Sequence, residues 1–120
     1  MQNCADESAA LLDGARALAK QLADSEIYRE YRTKKTIVGT DDDLNERIRA
    51  FKQAHAELEL KRLQGQAVAF EEEQHVCHMY SALTLREDSA VFLSLEDTLL
   101  SLCWQISEML YSVIDVDIPL

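Results

Sequence analysis

The sequence predicts an all-α chain: about five helices in a helical bundle with a long C-terminal helix, oligomerising through apolar helix faces. Three observations carry this. Only three Gly and one Pro punctuate 120 residues, which leaves little material for hairpins. The composition is rich in Ala, Leu, Glu, Gln and Arg, residues that lose least on entering a helix. Apolar residues also recur at three- and four-residue steps along most of the chain, the period of a helix face rather than of a strand. A chain of this length is expected to form a single domain, residues 1–120, with a core that needs neither disulfides nor metal.

The first helix is expected from about Ala5, where Leu11, Ala15, Leu18 and Leu22 form the stripe and Leu12 and Ala19 widen it. Asp6 and Glu7 are placed in its first turn, where the helix dipole favours acids. Asp24-Ser25 offers N-cap residues for a second helix running to about Val38. Tyr28 and Tyr31 share one face of it, with rings expected against a neighbouring helix and hydroxyls reaching water. The cluster Arg29, Arg32, Lys34 and Lys35 is the one place for an acidic partner or a phosphate, and ordinary surface is the simpler reading.

Gly39 to Asp43 is the clearest loop. Thr40 is the expected N-cap of a third helix, Asp42 to about Gln64, and the acids suit its positive end. Its seam is Leu44, Ile48, Phe51, His55, Leu58 and Arg62, a heptad-like alternation that packs on one partner helix. His55 is expected there as a partly buried, hydrogen-bonded side chain. Leu60 and Leu63 lie off the seam and hint at a second contact surface. Gly65 is a natural stop. A fourth helix, about Phe70 to Leu83, turns Val76, Met79, Tyr80 and Leu83 to the core and keeps Glu71, Glu72 and Glu73 in its first turn.

The fifth element organises the rest. From Thr84 to Ile114, Phe92, Leu95, Leu99, Leu102, Ile106, Met109 and Val113 form one stripe, and Glu96, Leu99, Cys103, Ile106, Leu110 and Ile114 run beside it. The face is wider than one helix can cover. Thr84 and Glu87 are spaced as a capping box, and Pro119 lies beyond the end. The rod is about 40 Å long at 1.5 Å per residue.

Charge and cysteines narrow the function. The net charge is −10, and it is uneven: residues 1–62 carry eleven bases and twelve acids, whereas from Leu63 onward one base, Arg86, faces ten acids. Direct nucleic-acid binding is therefore not expected, because phosphate affinity comes mainly from Lys and Arg. No apolar run reaches the roughly 18 residues of a membrane span, and the first residues lack the basic and apolar regions of a signal peptide. The expected location is cytoplasmic. Cys4, Cys77 and Cys103 are odd in number and lack CxxC spacing, so they are read as free thiols, two of them buried.

Candidate chemistry is sparse. Glu72-x-x-His75 puts a carboxylate and an imidazole on one helical face, a spacing that di-iron bundles use twice with glutamates from two further helices. Here it occurs once. His75, Cys77 and His78 lack a fourth zinc ligand unless Cys103 or another subunit supplies it. Glu72, His75, Cys77 and His78 are thus read as surface and interface residues. A metal- or iron–sulfur-binding redox sensor built on them is the alternative. No glycine-flanked serine and no phosphate-cradling glycine loop exists, so no catalytic residues, cofactor or enzyme activity are expected.

The order of features, Ala17-Leu18-Ala19 to Leu22, Ser25-Glu26-x-Tyr28-x-x-Tyr31, Leu44 to Phe51, Glu72-x-x-His75-Val76 and Phe92-Leu93-x-x-Glu96-x-x-Leu99, resembles the YlbF/YmcA family of small helical regulators from Gram-positive bacteria. That resemblance covers nearly the whole chain. It implies a homo-oligomer, dimer or higher, that binds sister regulators and influences competence, sporulation and biofilm formation by steering an endoribonuclease that matures messenger RNA. Members of that complex are linked to iron–sulfur clusters through cysteines near the C-terminus; the last cysteine here, Cys103, lies on the apolar helix. The residues expected to carry interaction are Leu95, Leu99, Leu102, Ile106 and Leu110, with Tyr28, Tyr31 and Phe51 as signature positions.

Overall fold

A computed structural model describes residues 2–114, as five helices: α1 (Gln2–Ala23), α2 (Glu26–Gly39), α3 (Asp42–Leu63), α4 (Phe70–Thr84) and α5 (Glu87–Ser112). The position of Pro119 beyond the last helix lies outside the described residues. Their boundaries follow local chemistry. Ser25 caps α2 by accepting the Tyr28 N–H at 3.2 Å. The α3 terminus is a Schellman turn, in which the Gly65 and Gln66 N–H groups bond back to the Arg62 and Lys61 carbonyls. Gly65 there has φ +73°, a conformation that costs a residue without Cβ nothing.

Several cap expectations are corrected. The N-cap of α3 is Asp41, which accepts the Leu44 N–H at 3.0 Å, while Thr40 closes α2. Thr84 and Glu87 form no capping box, because α4 runs on through Thr84 and its hydroxyl donates to the Ser81 carbonyl. The joint with α5 is made instead by Ser89. Its side chain is fully buried, and its hydroxyl donates to the Leu83 carbonyl at the end of α4. Helix α1 begins a turn before Ala5, so Asp6 and Glu7 fall in its second turn. Nothing in Gln2-Asn3-Cys4 opposes a helix, and no capping side chain fixes a later start.

The core lies where the α2–α3 and α4–α5 turns meet. Val38, Leu44, Ile48, Leu83 and Phe92 are buried there, with Tyr31, Phe51 and Leu93 packed against them. Asp41 and Arg86 join the two turns by an ion pair at 2.9 Å. The Leu44 N–H first, and the Arg86 guanidinium second, hold the Asp41 carboxyl below its usual range. A second packed region runs along the α3–α4 hairpin, where Leu58 on α3 and Val76 on α4 are buried. That hairpin is closed by Lys61 on Glu72 at 2.7 Å and Arg62 on Glu73. Met79 is only half-buried and Tyr80 is exposed, so the core face of α4 reduces to Val76 and Leu83.

Helix α2 runs antiparallel to α5, since Tyr31 meets Glu96 while Lys34, one turn on, meets Asp88. At 14 residues it covers only the first half of the 26-residue α5. The result is flat and elongated, 58 × 38 × 18 Å.

Candidate interaction surface

The signature aromatic residues belong to a brace between three helices. The Tyr31 ring stacks on Phe92 at 5.5 Å between centroids and on Tyr28 at 6.2 Å. Its hydroxyl donates to Glu96 at 3.2 Å rather than to water, as the half-buried position requires a partner for it. Lys52 from α3 reaches the same carboxylate at 2.6 Å and sits 5.3 Å from the Phe92 ring centre. Burial first, then the negative charge of Glu96, pushes the Tyr31 phenol up from its ordinary value. Phe51 stacks on His55 at 5.8 Å and meets the Tyr80 ring of α4 in a tilted contact at 5.6 Å. His55 is exposed, not partly buried, and its Nε2 lies 3.9 Å from Glu59.

The basic cluster of α2 is largely engaged within the chain. Lys34 pairs with Asp88 at 2.8 Å, and Arg29 donates to the Asp24 carbonyl at 2.7 Å. Arg32 and Lys35 lie over the Tyr28 and Tyr31 rings, each 5.9 Å from the centroid.

Glu72, His75, Cys77 and His78 all lie on α4, yet they do not converge. Glu72 is held by Lys61, while His75, Cys77 and His78 are exposed. Residues two apart point to different sides of a helix, which separates His75 from Cys77. Among the described residues no group of three or more His, Cys, Asp or Glu side chains is placed to hold a metal ion. The expectation of two buried thiols is corrected: Cys4, Cys77 and Cys103 are all exposed, because each lies on a helix face that no other element covers.

The uncovered surface is apolar. Leu95, Leu99, Leu102 and Ile106 are half-buried and Leu110 is exposed, so the seam of α5 emerges from the bundle along its length. Sequence reasoning missed its opposite side, where Leu100, Trp104 and Tyr111 are exposed as well, Trp104 at 66%. The signal was the spacing 100, 104, 111, a second stripe on the outer face. Over residues 99–114 the only charged side chain is Glu108; with Ser101, Gln105 and Ser112 it forms one narrow polar stripe. Apolar side chains cover most of the remaining surface, a wider apolar face than one neighbouring helix covers. Helix α1 is similarly bare: Leu11 is 76% exposed, and Leu12 and Leu18 are exposed too. Its principal contacts are with α2. Among the described residues no helix is long and apolar enough to cross a membrane.

Comparison with known proteins places this architecture. Residues 11–115 match the family model described as control of competence regulator ComK, YlbF/YmcA. A UPF0342 protein of Caldicellulosiruptor saccharolyticus is 30% identical over 104 residues, 87% of each chain. Its counterpart from Caldicellulosiruptor bescii is 29% identical over 103 residues, 86% of this chain and 87% of the relative. A solved structure, a protein of unknown function (DUF964) from Bacillus stearothermophilus, superposes with a TM-score of 0.71 at 18% identity, covering 86% of this chain and 93% of its own.

Proposed function

This chain belongs to the YlbF/YmcA family, and from that premise we propose that it is a non-enzymatic regulatory adaptor acting through protein contacts as one helical domain over residues 1–120. The observation that carries this reading is the distal half of α5. Sixteen successive residues, 99–114, hold one charge, and Leu100, Trp104, Met109, Leu110 and Val113 are exposed. An apolar surface of this extent is maintained where another protein covers it.

The contacts are self-association through Leu95, Leu99, Leu102, Ile106 and Leu110, and binding of sister regulators in the cytoplasm. Tyr28 and Tyr31 hold α2 against α5, and Phe51 holds α3 against α4, in the geometry that presents α5. By family likeness, the complex steers an endoribonuclease that matures messenger RNA, and the acidic C-terminal half suits a partner with a basic surface rather than nucleic acid.

The test is capture of the protein from native lysate prepared without oxygen, with bound chains identified by mass spectrometry. Recovery of sister regulators or an endoribonuclease is the expected result. Recovery of the bait alone, as a clean homo-oligomer, overturns the partner-binding reading.

A further inference from the structure

Helix α2 borders two grooves of opposite make-up. Glu26, Arg29, Glu30, Thr33 and Lys34 line one together with Val91 of α5, so acids and bases balance there. Tyr28, Tyr31, Arg32, Lys35 and Thr36 line the other, an open groove of about 430 Å³ whose lining holds two cations and no acid. The spacing makes this division: at 3.6 residues per turn, Tyr28, Arg32, Lys35 and Thr36 share one face, and Glu26 and Glu30 fall on another. Arg32 and Lys35 have no ion-pair partner among the described residues. Lys34, Lys52, Lys61 and Arg86, by contrast, each reach an acid elsewhere in the fold.

We propose that this face of α2 docks an acidic segment of a partner protein, with Arg32 and Lys35 holding its carboxylates and the Tyr28 ring as the floor. The site is separate from the apolar surface of α5, and it rests on the adaptor reading only in that the partner is a protein. Arg32 and Lys35 are like charges three residues apart, an arrangement that is unfavourable on a helix and that a pair of carboxylates relieves. Each cation lies 5.9 Å from a tyrosine ring centre. That is the outer range of a cation–π contact, so an incoming carboxylate displaces little. The rings set apolar area beside the charges, as the surfaces that bind peptides do.

The charge of the whole chain selects the kind of anion. At −10 it repels a long polyanion, and the two uncompensated cations of this groove are too few for nucleic acid, whose affinity grows with the number of phosphates neutralised. One turn of an acidic helix needs no more than two. Free phosphate is a poorer match, because the groove runs along the body of α2, where the backbone N–H groups are already bonded within the helix. The acidic remainder of the chain also orients the partner. Like charge turns an acidic segment away from the C-terminal half and leaves α2 as its landing place.

The experiment follows the backbone amide resonances of the full, ¹⁵N-labelled chain at low ionic strength. The probe is a synthetic helical peptide with two Glu-x-x-Glu pairs around a central leucine, and its glutamine analogue is the control. Saturable shifts confined to residues 28–36, absent with the analogue and suppressed by added salt, are the expected result. Arg32→Gln with Lys35→Gln should weaken binding roughly fivefold; both side chains are exposed, so the fold is kept. Arg47→Gln, which removes a charge that Asp43 already balances, should leave binding unchanged. No shift on α2, equal shifts with the glutamine analogue, or equal weakening by Arg47→Gln overturns the proposal. So does tighter binding of single-stranded oligouridylate, or of inorganic phosphate, at the same residues. Failure here leaves the lysate capture standing, and a bait recovered alone leaves the peptide result standing, so the two readings fail separately.

Discussion

Tyr31 donates its hydroxyl hydrogen to Glu96 across 65 positions of sequence, and the same carboxylate takes the Lys52 ammonium at 2.6 Å. One half-buried acid thus ties α2 and α3 to α5 where α5 leaves the bundle. The Ser-x-x-Tyr-x-x-Tyr signature therefore has a mechanical meaning. Ser25 starts α2, Tyr28 and Tyr31 stack, and Tyr31 sets the register of α2 on α5.

Removing that acid has a specific cost. Glu96→Ala leaves the Tyr31 hydroxyl and the Lys52 ammonium without their acceptor, which costs about 2 kcal/mol of stability, while Tyr31→Phe costs about 1 kcal/mol. Chemical denaturation of the two single variants and the double variant measures this. The double variant should lose less than the sum, because both changes break one bond.

The α4–α5 joint separates two kinds of cap. Ser89→Ala removes the donor to the buried Leu83 carbonyl and is predicted to cost about 1–2 kcal/mol. Thr84→Ala removes only an exposed hydroxyl within α4, and its effect should stay within about 0.5 kcal/mol. Thermal melts of the two variants side by side test the assignment.

Acid should loosen the meeting of the two turns. The Asp41 carboxyl lies below its ordinary value of 3.8 in the folded chain, so on acidification the unfolded chain takes up the proton first. Its contribution is present above pH 3.8 and is lost as pH falls through the folded value. Asp41→Asn keeps a competent N-cap and should flatten that part of the stability–pH curve, as followed by denaturation between pH 5 and pH 2.

Core and arm respond differently to substitution. Leu44→Ala, in the buried cluster, should cost about 2–5 kcal/mol. Leu110→Glu alters a side chain that is 61% exposed and should leave the helical signal intact, with a folding cost within about 0.5 kcal/mol. It should dissociate the oligomer, because an unpaired charge at a closed interface costs several kcal/mol. Circular dichroism and light scattering on the same samples separate the two outcomes.

Much of this fold was readable in the chain. Periodicity placed the bodies of all five helices, since the faces of Leu44, Ile48 and Leu58 or of Phe92 and Leu95 are set by the 3.6-residue repeat. Caps were less legible. Thr40 and Asp41 are both good N-cap residues, and which of them acts depends on where α2 stops. That in turn depends on Asp41 being held to Arg86, 45 positions away. Thr84 and Glu87 have the capping-box spacing, but the preceding helix keeps Thr84 for itself. Periodicity also says which side chains share a face, not whether the same chain covers that face. This is why Cys103 was expected inside, and why the outer stripe of Leu100, Trp104 and Tyr111 passed unnoticed beside the stronger seam.

The measurement that bears most directly on the central claim is sedimentation of the purified full chain from high to low micromolar concentration. Arms that function by being covered predict a mass at least twice that of one chain, falling toward the monomer on dilution with a parallel loss of thermal stability. A monomer of constant mass and constant stability over the whole range contradicts the account.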